Sequence, residues 1–268
     1  MMKVLTEEQK ELYKSQGYLV LDLLTESQLE ELTSAYNDVF SHHNTEGTWG
    51  GQWRGQDTTT TEVFTVHGLQ LHSAVFTRLL LHEPLLDVCE DIMATYNILL
   101  HHTKAHWKPP NHGSAFPMHQ DYHYFPYKNH SPIAVFISLD DAGPANGGLC
   151  VYPGTHKLGP QPDCSTETTW HYLDPQQFPL EKATPLTLKK GQVVIFSYLL
   201  IHGSYVNTSS SARRMFLMQL TAADDQPASD EEPRPCQTMV LRGQTSLVSR
   251  DVFLPPQLRH KEPSEDRP

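Results

Sequence analysis

The sequence predicts a mainly β fold with flanking helices, of the jelly-roll kind, and three observations carry that expectation. From Asn97 onward, short runs of β-type composition stand at 97–107, 116–125, 132–139, 149–152, 184–188, 192–199 and 213–221, separated by Gly, Pro and Asn turns. That spacing belongs to a sandwich or barrel. Before Asn97 the pattern is helical instead. Third, the residues best suited to chemistry lie far apart, His202 falling 83 positions after His119. A double-sheet jelly roll supplies a cavity in which such distant strands meet.

Residues 6–16 have helical spacing, and Tyr18-Leu19-Val20-Leu21 is a short apolar strand. Thr25 and Gln28 form a capping box that opens a helix to about Phe40, with Leu29, Leu32, Tyr36 and Phe40 on one face. The Thr-, Gly- and His-rich stretch 41–66 reads as a loop. Ser73–Leu81 and Pro84–Ala94 read as two helices, Pro84 taking the first turn. A single catalytic domain is expected over 1–223, with N-terminal helices in 1–96 and the β core in 97–223. The acidic, Pro-rich extension 224–268 is expected to be partly ordered, with its last ten or so residues poorly ordered.

Bulk properties exclude several function classes. A formal charge of -11 argues against a nucleic-acid surface. No run approaches the roughly 18 apolar residues of a membrane span. Cys89, Cys150, Cys164 and Cys236 contain no C-x-x-C pair and suit reduced thiols. With no apolar leader at the N-terminus and no peroxisomal C-terminal tripeptide, a cytoplasmic location is the expectation, and a peroxisomal one lacks a visible signal. The 16 histidines are a warning, because that many yield on the order of one His-x-Asp by chance.

In FPMHQDYHYFP, His119 and Asp121 are two apart. On a strand both face one side, about 7 Å apart, and His123 shares that side. His119, with His202 from LLIHGSYVN, gives two imidazoles and Asp121 a carboxylate, the ligand set of non-haem Fe(II) oxygenases. A structural zinc site is instead closed by four protein ligands. Arg213 follows His202 by 11 positions, and its fork can pair bidentately with a carboxylate. Ser204, on His202's side of the chain, can donate to the same group.

FPMHQDYHYFPY, ANGGLCVYPGTH, KKGQVVIFSYLLIHGS, the downstream N-T-S…RR, and KPP at 108–110 resemble the phytanoyl-CoA dioxygenase family over roughly 97–223. The resemblance implies a double-stranded β-helix (cupin-like) core, with Fe(II) held by His119, Asp121 and His202. It implies 2-oxoglutarate as co-substrate, its far carboxylate on Arg213 and Ser204, with Gln120 near the metal-bound end and Phe116 walling the pocket. His67 falls where the family carries a lysine that helps hold the co-substrate, a departure that weakens that contact. The implied reaction is hydroxylation of an unactivated C–H with release of succinate and CO2, with ascorbate as a supporting reductant. Asp121 matters here, since halogenases of this class have Gly or Ala in its place. The implied substrates are small molecules or acyl groups, acyl-CoA included.

Two other readings fit the same residues. One is a non-catalytic ligand-binding member of the family, signalled by His67. The other is a cupin-like Zn or Mn enzyme using His119, Asp121, His123 and His202 as four ligands.

Overall fold

The computed structural model describes residues 4–42, 50–51, 63–166, 170–228 and 237–245. Helix α1 (Glu7–Gln16) starts from a complete Thr6–Gln9 capping box and stops at Gly17, whose φ of 83° is left-handed. Strand β1 (Tyr18–Leu21) leads into α2 (Glu26–His42), where the Thr25 backbone donates to Gln28 Oε1 at 2.9 Å and Gln28 N donates to Thr25 Oγ1 at 3.3 Å. Then come β2 (Gly50–Gly51), β3 (Val63–His67), α3 (Ala74–Leu80) and α4 (Glu83–Met93). The expected loop 41–66 is therefore partly strand. The β-branched and aromatic run Val63-Phe64-Thr65-Val66 pairs with a neighbour, whereas residues 43–49 and 52–62 lie outside the described residues.

The remaining strands are β4 (Ile98–Lys108), β5 (Phe116–His119), β6 (Ile133–Ser138), β7 (Leu149–Val151), β8 (Thr184–Pro185), β9 (Val193–Ser197), β10 (His202–Ser204), β11 (Arg213–Ala222) and β12 (Val240–Arg242). They form two antiparallel sheets. The larger has the order β1-β9-β6-β11-β4-β3-β2, with β12 also on β4, and the smaller is β5-β10-β7-β8. The fold is the jelly roll that the strand spacing predicts.

Period-2 alternation divides the large sheet into two faces. Val135, Ile137, Val193, Ile195, Phe216, Met218 and Leu220 pack under the helices with Tyr36, Phe40, Phe76 and Leu85. Their neighbours Ala134, Phe136, Val194, Phe196, Met215 and Leu217 face the small sheet, against Leu149, Val151 and Leu200. On β4 the alternation is reset by a bulge, since Gln219 pairs with His102 but Leu220 pairs with Leu100, leaving His101 unmatched. Beyond it Ala105 and Trp107 face the helices, while His102, Lys104, His106 and Lys108 face the cavity between the sheets with Gln219, Leu217, Met215 and Arg213 opposite them.

The chain past 223 joins the core in part. Val240 and Arg242 pair with Leu99 and Ile98, and Arg242 forms ion pairs with Glu83, Asp87 and Glu90 of α4. The last ten residues lie outside the described residues.

Candidate metal centre and anion pocket

Two short strands of the small sheet bring the histidines together. His119, at the end of β5, is the register partner of His202, at the start of β10, and the ring centroids are 4.2 Å apart. Such closeness needs a residue without a side chain between the strands. A Cβ on Gly203 would stand 2.8 Å from both Met118 Sδ and the Phe116 carbonyl oxygen.

Asp121 arrives differently from the expectation. The strand ends at His119, and Asp121–Tyr124 make a turn of 3₁₀ helix. At about 120° per residue in such a turn, Asp121 and His123 do not share a face. The carboxylate turns to the histidines, its Oδ1 lying 4.0 Å from His119 Nε2 and 3.9 Å from His202 Nε2. His123 turns away to His171, at a ring separation of 5.7 Å. Among the described residues His119, Asp121 and His202 are the one group of potential ligands gathered closely enough to hold a metal, their ligand atoms all within 4.8 Å of one another. The four-ligand alternative through His123 is thereby corrected.

The tautomers follow from the backbone. His119 Nδ1 donates to the Pro117 carbonyl at 2.8 Å and His202 Nδ1 to the Leu200 carbonyl at 2.9 Å. Both Nε2 lone pairs are left facing Asp121. Burial, helped by His202, pushes the His119 imidazole down to about 3, so it is neutral. Burial also lowers His202. Burial opposes ionisation of Asp121, but His202, Lys104 and His119, with a bond from Gln219, hold it below the usual carboxylate range. That bond, Gln219 Nε2 to Asp121 Oδ2 at 2.6 Å, fixes the carboxylate from the large sheet. Two neutral imidazoles and one oriented carboxylate fit a divalent metal such as Fe(II).

Farther along the cavity lies a pocket with two buried basic side chains. Arg213 Nε and Nη2 donate to the Gly147 carbonyl at 3.0 and 2.6 Å, and Nη1 is buried without a partner among the described residues. Lys108 is fully buried, and its Nζ donates to Ser204 Oγ at 2.8 Å and to the Tyr205 carbonyl at 2.6 Å. Lys108 slips past Gly147, where a Cβ would meet its Cδ at 2.8 Å. Burial, with Arg213 beside it, pushes Lys108 well below the ordinary lysine value. Among the described residues neither side chain has a carboxylate partner. Buried unpaired charge is costly, so this pocket suits an anion.

The other expected site residues occupy distinct positions. Ser204, accepting from Lys108, keeps its own proton free to donate to a ligand. Phe116 stacks on His106 at 5.2 Å and 16°, with Lys108 Nζ 5.2 Å from its ring. Gln120 is fully buried and holds loop backbone, donating to the Leu199 and Gly159 carbonyls and accepting from Gln161 N. His67 is exposed and opposite Lys104, four β4 positions from Lys108. Arg214, next to Arg213, is half-buried, forked on Asp140 and bonded to Asn37.

Comparison with known proteins agrees with this geometry. The family model for phytanoyl-CoA dioxygenase matches residues 13–215. The chain belongs to the phytanoyl-CoA dioxygenase family. It is 30% identical over 176 residues to a probable alpha-ketoglutarate-dependent hypophosphite dioxygenase of Stutzerimonas stutzeri, covering 59% of this chain and 58% of that protein. It is 36% identical over 129 residues to the peroxisomal phytanoyl-CoA dioxygenase of Bos taurus, covering 44% of this chain and 38% of that protein. The chain thus spans between about two-fifths and three-fifths of the length of these relatives. Among solved structures, EctD from S. alaskensis with 2-oxoglutarate and 5-hydroxyectoine superposes with a TM-score of 0.69 at 20% identity, over 90% of this chain and 88% of that one. The epimerase SnoN from nogalamycin biosynthesis, with Fe3+ and alpha ketoglutarate, gives 0.69 at 17% identity, over 88% and 98%. These place the chain in the fold of the family.

Three residues escape the sequence reading. Gln219 lies in an apolar strand with no local sign of its role. Lys108 and Lys104 are signalled by the alternation His102-Lys104-His106-Lys108, which puts four basic side chains on one strand face.

Proposed function

We propose that this family member is an Fe(II)- and 2-oxoglutarate-dependent dioxygenase that hydroxylates an unactivated C–H of a small-molecule or acyl substrate. The observation that carries the reading is the pairing of a His-Asp-His cluster with an anion pocket in one cavity. His119, Asp121 and His202 hold the metal. Arg213, Lys108 and the Ser204 hydroxyl receive the far carboxylate of 2-oxoglutarate. Bound Fe(II) supplies the redox chemistry in which one oxygen atom of O2 goes to the substrate C–H and the other to succinate, as 2-oxoglutarate loses CO2. The chain supplies orientation and a dry cavity, walled by Phe116, His106, Phe136 and Phe196. Asp121 takes the carboxylate position, which makes hydroxylation rather than halogenation the outcome. His67 plays no part in holding the co-substrate; Lys108 supplies the second basic group.

The test is succinate release from anaerobically purified protein given Fe(II), 2-oxoglutarate and O2. Slow turnover without a prime substrate, lost in His119→Ala, is expected, together with a melting temperature raised by the two ligands jointly. Absence of both succinate and thermal shift overturns the proposal. Gln219→Leu removes the bond that orients Asp121, and such outer contacts are worth about 10- to 100-fold in metal affinity. Anaerobic titration with Fe(II) or Co(II) should show a loss of that size with the fold intact.

A further inference from the structure

One half-buried lysine on the cavity face of the large sheet is used by neither the metal cluster nor the anion pocket. Lys104 sits on the cavity face of β4, between His102 and His106, opposite Leu217 on β11 and His67 on β3. Leu217 belongs to the buried layer between the sheets, so the lysine stem rises from the cavity wall. Among the described residues no carboxylate lies within ion-pair distance of Lys104, and its ammonium makes no hydrogen bond. Gln219, which donates to Asp121, lies two β11 positions from Leu217, so Lys104 stands on the strand face that serves the metal cluster. A positive charge on the face that serves the metal cluster works against metal binding by simple repulsion. A role in assembling the cluster therefore does not account for it.

The charge balance of the loaded site points the same way. Iron brings two positive charges and Asp121 one negative. Arg213 and Lys104 bring one positive each, and 2-oxoglutarate brings two negative. One positive charge remains even with Lys108 counted as neutral. Lys104 is half-buried and opposite Leu217, at the apolar wall shared with Phe136 and Phe196, and an anionic group is the component that neutralises the surplus. An extended apolar chain would lay hydrocarbon against Lys104 and leave the ammonium without a partner.

Resting on the oxygenase reading above, we propose that Lys104 anchors an anionic group of the prime substrate, making the substrate class a compact oxyanion whose charged group lies close to the bond that is oxidised. The carboxylate or other oxyanion pairs with Lys104, with the histidines of the same strand face as neighbours. The carbon to be hydroxylated is thereby held within a few bonds of the charge, as in a small carboxylic acid. A thioester masks that carboxylate and is a poor fit.

The test uses the full-length protein loaded anaerobically with Fe(II) and saturating 2-oxoglutarate, whose visible charge-transfer band reports on the metal surroundings. Isobutyrate and its neutral counterpart isobutyramide are titrated in turn. Isobutyrate is expected to perturb the band saturably and isobutyramide to leave it unchanged. Lys104→Met, of similar length and no charge, should weaken the isobutyrate response at least about tenfold, as loss of one charge-assisted pair does. Lys104→Arg should restore most of it. The proposal is overturned if acid and amide act alike, or if Lys104→Met binds isobutyrate as tightly as the parent. It is also overturned if Lys104→Met raises the 2-oxoglutarate concentration needed to develop the band, which would assign the lysine to the co-substrate. Failure of the parent protein to form the band at all sinks the oxygenase reading itself, a separate and visible outcome.

Discussion

Arg213→Met should abolish the stabilisation conferred by 2-oxoglutarate while leaving the ligand-free protein's melting temperature within a few degrees of the parent. Two opposing terms explain the small effect on the ligand-free fold. Methionine forfeits the forked contact with the Gly147 carbonyl, but it also removes a buried guanidinium whose Nη1 has no partner among the described residues. Replacing buried charge by apolar volume is often neutral for stability. Burial pushes Arg213 down to about 10, which still leaves it charged at neutral pH and ready for a carboxylate. Truncating one partner of a buried, hydrogen-bonded charge pair costs about 2–5 kcal/mol, roughly 30-fold to several-thousand-fold in affinity. Differential scanning fluorimetry with and without 2-oxoglutarate checks both halves. A variant that still responds to the co-substrate removes Arg213 from the pocket.

Asp121→Asn is expected to produce the largest loss of metal. The substitution keeps size and an acceptor oxygen for Gln219, so the 3₁₀ turn and the His119–His202 pairing should survive. What disappears is a negative charge facing the ion. At about 4 Å and an effective dielectric of about 20, one unit charge is worth about 4 kcal/mol, or roughly a thousandfold in affinity. Competition with a coloured chelator under anaerobic conditions measures it directly. Succinate release should fall to background in parallel. Retention of metal within tenfold of the parent would show that Asp121 is not a ligand.

Much of this architecture is legible in the sequence where the signal is local. The Thr25 cap, the strand Tyr18–Leu21 and the β runs after Asn97 each follow from a few neighbouring residues. Features built across long sequence separations are harder. Asp121 was expected on a strand because His-x-Asp alternates, yet the chain turns after His119, a change set by tertiary contacts of Gln120 with Leu199 and Gly159. Gln219 meets Asp121 only because β11 crosses the cavity, and nothing in MFLMQLT marks the glutamine. Lys108 hid inside KPP, read for resemblance rather than for charge. Strand β12 is three residues long and pairs with Leu99 and Ile98, a register that no local pattern encodes.

The bulge at His101 has an evolutionary consequence. Beyond it, successive residues of β4 answer to different selective pressures, Ala105 and Trp107 to the demands of the helix-side core and Lys104, His106 and Lys108 to those of the cavity. A point substitution at the half-buried position 104 or 106 can rewrite what the cavity recognises while leaving the helix-side packing in place. One strand thus offers a family with many substrates a short, contiguous stretch of gene in which specificity drifts while stability is inherited unchanged.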